Sequence, residues 1–154
     1  MKSDNHYQLQ ADLSNHLYNY HQWLESRVSI SFLIQLTNEK SIEPFLGLTL
    51  PLASQEKWSE VEKAYQKILS IDPNNYTANL RLGQIYFNRK DYSKAENYLK
   101  KVYNIYPSDY EANLYLGWTY FYLNKKSDAK FHFVNTLMVS ENDKSALEGM
   151  KLVK

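Results

Sequence analysis

A step of 34 residues runs through the second half of the chain. Pro73 meets Pro107 at that offset. So do Asn79 and Asn113, Leu80 and Leu114, Leu82 and Leu116, Gly83 and Gly117, Tyr86 and Tyr120, Phe87 and Phe121, and Ala95 and Ala129. The stretch Asp72-Pro73-Asn74-Asn75-Tyr76 returns in altered form as Tyr106-Pro107-Ser108-Asp109-Tyr110. Self-similarity at a fixed period means that one supersecondary unit is copied along the chain, each copy burying its apolar face on its neighbours.

Each unit reads as two helices. Leu82, Gly83 and Tyr86 continue a helical stripe begun at Asn79, with Leu116, Gly117 and Tyr120 as counterparts. A second helix begins near Asp91, with Tyr92, Ala95, Leu99 and Val102 on one face. Glycine in a helix interior costs about 1 kcal/mol against alanine, so the recurrence of Gly83 calls for a packing reason. A missing side chain lets a partner helix approach, and Ala95 and Ala129 supply the matching small surface. Ser108 with Glu111 reads as a capping box, Asp91 as the cap of the second helix, and Pro107 as a stop.

On these residues the chain resembles the tetratricopeptide repeat. Residues 76–109 supply Leu82-Gly83, Tyr86, Tyr92, Ala95, Leu99 and Pro107 at the motif positions. Residues 110–143 supply Leu116-Gly117, Tyr120, Ala129 and Phe133, with Lys126 in place of the aromatic and Glu141 in place of the proline. Asn79 and Asn113 replace the usual large first residue, departures expected to weaken individual contacts. The resemblance implies an all-α fold, a right-handed superhelix of antiparallel helix pairs. The repeat domain would span 42–154, with repeats at 42–75 (degenerate), 76–109 and 110–143 and a capping helix at 144–154.

The degenerate copy carries Trp58, Val61, Tyr65, Ile68 and Pro73 on its second-helix positions, with Ser54 as cap. Its first helix, 42–53, would place Phe45, Leu48, Thr49 and Leu52 inward. Pro51 inside it costs about 3 kcal/mol or a kink. A rival reading is extended: Leu46, Leu48, Leu50 and Leu52 alternate, as do Val28, Ile30, Phe32, Ile34 and Leu36. The repeat register favours helix over 42–53, and residues 28–38 stay open between the two.

Residues 1–41 form an N-terminal extension. Within it, 6–26 read as an amphipathic helix with Leu9, Leu13, Leu17, Tyr20 and Leu24 on one face. It suits capping of the array's edge, and the alternative is a homodimer through the same face. At the other end, Leu147 and Met150 are expected inward, with Lys144, Lys151 and Lys154 outward.

Composition narrows the function. Eighteen basic residues against seventeen acidic ones give a net charge of +1, so there is no electrostatic footprint for nucleic acid. There is no Cys, which removes disulfides, thiolate metal sites and Cys nucleophiles. The four histidines, His6, His16, His21 and His132, read as solvated; Asp12 and His16 share a helix face but lack a third metal ligand. The glycines are isolated, so no phosphate loop exists, and no carboxylate pair is placed for acid–base work. No catalytic residue, cofactor or metal is expected, and the chain does not read as an enzyme. The apolar region from Val28 to Ala53 is broken by Glu39, Lys40 and Glu43, which excludes a membrane span. With no secretory signal in the first residues, a cytoplasmic location is expected. The glycosylation pattern Asn75-Tyr76-Thr77 is read as structural.

The resemblance also implies a concave face built from the first helices, where family members bind peptides. In this register the stripe is Thr77, Arg81, Gln84 and Asn88, then Glu111, Tyr115, Trp118 and Tyr122. A protein or peptide partner is expected there. Members that bind chaperone tails need Lys and Arg where this chain has Glu111 and Tyr115, which disfavours an acidic C-terminal ligand. In size and layout the chain is also similar to type III secretion translocator chaperones, and an assembly subunit dimerising through its N-terminal helix is a further alternative.

Overall fold

The computed structural model describes residues 41–154, and among them every regular element is helical. Seven helices follow one another: α1 Glu43–Ser54, α2 Trp58–Ile71, α3 Tyr76–Asn88, α4 Tyr92–Ile105, α5 Tyr110–Tyr122, α6 Lys126–Val139 and α7 Lys144–Leu152. They pack as antiparallel pairs, α1 with α2, α3 with α4 and α5 with α6, and each pair leans on the next. First helices of successive pairs also touch, α3 with α5 and α5 with α7. That closer approach puts the first helices on the inner side of an all-α solenoid.

Local chemistry repeats with the same step. Asn75, Asp109 and Asp143 are the N-caps of α3, α5 and α7, each accepting from the backbone N–H three residues on. Asn75 of the glycosylation pattern is thus spent on a cap. Asp109, not Ser108, caps α5: it receives the Ala112 N–H at 2.7 Å, so the expected Ser108–Glu111 box does not form. Asp91 caps α4 as expected, through the Lys94 N–H at 3.2 Å. That bond, the first of its causes, holds the Asp91 carboxyl below its ordinary range. Ser54 caps nothing; it closes α1 by donating to the Pro51 carbonyl, and α2 has Lys57 at its N-cap position with no side-chain cap bond.

The turn inside each pair has its own periodic feature. Glu56, Lys90 and Asn124 lie 34 residues apart and all adopt positive φ, at 58°, 62° and 59°. Each follows a helix end closed by a bond from the next N–H back to the last turn, as from Asp91 to the Tyr86 carbonyl. Glycine is the usual residue for this conformation, and none is used here.

The glycines do admit a close helix approach, but the side chains that meet them are Leu99 and Phe133 and not the expected Ala95 and Ala129. A Cβ on Gly83 would stand 2.6 Å from the Leu99 side chain, and one on Gly117 would stand 2.6 Å from the Phe133 ring. Ala78, Ala112 and Ala146 are wholly buried at the same step, as are Ala95 and Ala129.

The segment 42–53, for which the repeat register favours helix over strand, is helix from Glu43 onward. Phe45, Leu48, Thr49 and Leu52 are its buried residues, Pro51 sits within it, and Leu50 is 72% exposed. A strand would have put Leu50 on the face of Leu48 and Leu52; the 3.6-residue period turns it away. The alternating residues 28–38, the 6–26 helix with its capping and dimer readings, and His6, His16 and His21 lie outside the described residues.

Three further expectations are corrected. His132 is buried, not solvated, and burial pushes its pKa down to about 4. Leu147 is exposed; Ala146, Gly149 and Val153 are buried instead, because α7 has one neighbouring pair to face and turns that stripe toward it. Asn79 and Asn113, expected to weaken contacts, are buried latches. The Asn79 amide donates to the Pro73 and Asn75 carbonyls at 3.0 and 2.9 Å, and Asn113 does the same to Pro107 and Asp109 at 2.8 Å each. A large apolar residue would fill that space, but it would leave those loop carbonyls without these donors.

Candidate functional site

The inner stripe divides into a polar half and an aromatic half. On α3, Arg81 donates to Gln84 Oε1 at 2.8 Å, and Gln84 Nε2 donates to Glu111 Oε2 of the next repeat at 3.0 Å. Arg81 also stands 3.5 Å from the Glu111 carboxylate, with both side chains roughly half exposed. The three form a closed network, so the single arginine of the stripe is matched by its own carboxylate. Thr77 is partly buried and Asn88 exposed, and neither joins this network.

On α5, Tyr115, Trp118 and Tyr122 line a recess of about 310 Å³ together with Phe87, Leu114 and Ser145. The rings are held from several sides. Trp118 donates its indole N–H to Ser145 Oγ at 2.8 Å and meets Phe133 edge-on at 5.2 Å. Tyr122 stacks on Tyr92 at 4.6 Å, and Phe87 packs edge-on against Tyr115 at 5.2 Å. Tyr122 nevertheless keeps half its surface in solvent. Burial raises the Tyr92 hydroxyl pKa, with a smaller contribution from Tyr122.

The expected stripe omitted Phe87, Leu114 and Ser145. Phe87 and Leu114 lie three residues beyond Gln84 and Glu111, so they lean into the seam between first helices instead of along one helix. The omission follows from treating each helix singly. The register also has members outside the two clear repeats: Leu50, Gln84, Trp118 and Leu152 stand at successive steps, and both leucines are exposed, at 72% and 46%.

A second cluster lies on the side of α2. Glu62 accepts from the Tyr86 hydroxyl and pairs with Arg89. The Tyr86 hydrogen bond, then the Arg89 contacts, hold the Glu62 carboxyl below its usual range, while the same bond and burial lift Tyr86 to about 12. Its members satisfy one another across the α2–α3 junction, a structural tie between repeats.

Residues 52–102 match the family model described as tetratricopeptide repeat. No curated protein sequence matches the chain. Among solved structures, the chain is similar to the first TPR of Spaghetti (RPAP3) bound to the HSP90 peptide SRMEEVD, with TM-score 0.67 and 21% identity over 75% of this chain and 92% of that one. It is also similar to YrrB, a TPR protein with an unusual peptide-binding site, with TM-score 0.70 and 19% identity over 81% of this chain and 64% of that one. PilF of Pseudomonas aeruginosa aligns with TM-score 0.68 and 18% identity, over 94% of this chain and 64% of that one. The repeat step, the stacked helix pairs and the family match over residues 52–102 agree: the described residues have the tetratricopeptide-repeat fold.

Proposed function

We propose that the chain is a protein-interaction module that takes a peptide or an exposed segment of a partner on its inner face, with Tyr115, Trp118 and Tyr122 as the anchoring surface. The observation that carries this reading is the recess of about 310 Å³ between first helices, open to solvent and lined by rings already fixed by neighbours. Rigid aromatic side chains offer large contact area at small entropic cost, and a Trp anchor in such a site contributes about 2 kcal/mol or more. No comparable cluster of reacting groups accompanies it among the described residues, so binding is the activity that this face supports.

The ligand that fits is apolar or aromatic at its centre and not an acidic tail. Arg81 is engaged by Glu111 and Gln84, and Glu111 adds negative charge beside the recess. A peptide such as SRMEEVD, bound by the RPAP3 domain, would bring four carboxylates, counting its C-terminus, to this face. Its affinity here is expected to be weaker than about 1 mM.

The test is selection of binders from a random peptide library on the parent chain, followed by titration against Tyr115→Ala with Trp118→Ala. Affinity should drop more than tenfold with helicity retained, and should change little between low and high salt, because stacking is not screened by ions. Undiminished affinity in the folded double variant would move the site off this face.

A further inference from the structure

Two stacked rings fill the same slot in each of the later repeats, and the first repeat lacks both. Tyr86 and Tyr98 stack at 5.5 Å and 1° between their planes, and Tyr120 and His132 stack at 5.4 Å and 19° one repeat on. One step earlier the chain has Leu52 and Ala64 in their places. Between α1 and α2 an open groove of about 530 Å³ remains, floored by Phe45, Leu48, Leu52 and Ala64 and rimmed by Glu60, Lys63 and Lys67. Protein interiors close up around side chains, and an apolar hollow of this size forfeits dispersion contacts along its lining.

We propose that residues 6–26 of the same chain dock in this groove, seating the Leu13, Leu17 and Tyr20 face where the later repeats carry their own rings. Three observations favour this occupant. The groove lies at the edge where the chain enters α1 through Ser41, and forty residues precede that point. The fourteen residues 27–40 reach at most about 50 Å, well beyond the ~18 Å length of α1, so the link does not restrict docking. Asp12 and Glu25 flank the apolar stripe, and the rim sets Lys63 and Lys67 against the single carboxylate of Glu60, a net charge of opposite sign. A tethered segment also acts at an effective concentration near millimolar, which favours it over a second copy or a foreign peptide. Repeat arrays need a cover on their terminal face, and here the cover would complete a hydrophobic core that the first repeat leaves short of two rings.

The chain has no cysteine, which permits a direct test in the full-length protein. Lys63→Cys is combined in turn with Leu13→Cys, Leu17→Cys or Tyr20→Cys, and with Asn15→Cys or Gln22→Cys on the opposite side of the stripe. Under mild oxidation, cross-linking within one chain should be at least tenfold faster for the first set. In parallel, Ala64→Tyr supplies the missing ring. Hydrogen exchange across residues 6–26 should then rise at least tenfold, while α3 to α7 keep their protection. Equal cross-linking rates in both sets, or unchanged exchange in the Ala64→Tyr chain, would overturn the docking. A disulfide that forms only between two chains would overturn it too, by assigning the groove to a second copy.

Discussion

The repeats at 76–109 and 110–143 use the same buried asparagine and complete it differently. In both, the side-chain amide donates to two loop carbonyls at 2.8–3.0 Å. In the later repeat, Asn113 Oδ1 also accepts from His132 Nδ1 at 2.9 Å and from Asn135 Nδ2 at 3.2 Å. In the earlier one, Tyr98 and Lys101 stand at those two places, and Asn79 Oδ1 is buried without a protein partner. Since the Asn113 amide nitrogen is committed to carbonyls, its oxygen faces the ring, and His132 must carry its proton on Nδ1. The comparison teaches that a polar residue at a motif's large-residue position is no defect when its hydrogen bonds close. One repeat closes them all and the other leaves one open.

The largest expected effect follows from that contrast. Asn113→Ala strands the Pro107 carbonyl, leaves the Asp109 carbonyl only the residue-113 backbone N–H, and removes the acceptor for His132 and Asn135; it should destabilise by about 3 kcal/mol. Asn79→Ala strands the equivalent Pro73 carbonyl but also removes an oxygen that was itself unsatisfied, and should cost about half as much. Urea unfolding of the two variants measures the difference; equal losses would mean that the His132 arrangement adds nothing.

The glycines sharpen the same comparison. Gly117→Ala drives a methyl into the Phe133 ring, which also has Gly149 close against its far side. Gly83→Ala meets the end of Leu99, a side chain with more freedom to turn. Both should overpack, by about 2–3 kcal/mol for Gly117→Ala and about 1 kcal/mol for Gly83→Ala, read as shifts in melting temperature. A reversed order would show that α6 moves more readily than α4.

Acid should act on one repeat and spare the other. The His132 pKa is lowered to about 4 by burial, opposed in part by Asp128, from an ordinary 6.5. The unfolded chain therefore binds the proton more readily, and stability present above pH 6.5 is lost as pH falls toward 4. Allowing for solvent screening, about 1 kcal/mol should go between pH 7 and pH 5. His132→Tyr, which copies Tyr98, should flatten this slope in a series of melts; an unchanged slope would place the acid sensitivity elsewhere.

The smallest effect concerns the turns. Lys90→Gly should gain up to about 1 kcal/mol by relieving a left-handed lysine, whereas Asn124→Gly should gain close to nothing, because asparagine tolerates that conformation. Matching gains in both, by thermal denaturation, would mean that residue type does not matter there.

What could be read in advance was whatever depends on spacing along the chain. Leu82, Gly83, Tyr86, Ala95 and their partners one step on declared the helix pairs, and the inward set of α1 was correct to the residue despite Pro51. Periodicity suffices there because a helix face is a property of one segment, and side chains three or four apart share it whatever lies opposite. The misreadings all concern groups whose state depends on a second segment. Ser108 and Asp109 are both competent caps, and the path of the loop chose Asp109. Leu147 had the right spacing, but α7 has a single neighbouring pair to face, so Ala146, Gly149 and Val153 went inward instead. Phe87 and Leu114 joined the aromatic recess because two first helices meet beside them. Asn113 was a flaw in the motif until folding brought His132 and Asn135 against its oxygen. The repeat itself was determined by the order of residues, because each pair buries the same face on the next. Which polar atoms are satisfied, and which rings meet, was decided by tertiary structure, because burial removes water as a partner and leaves only the neighbours that packing supplies.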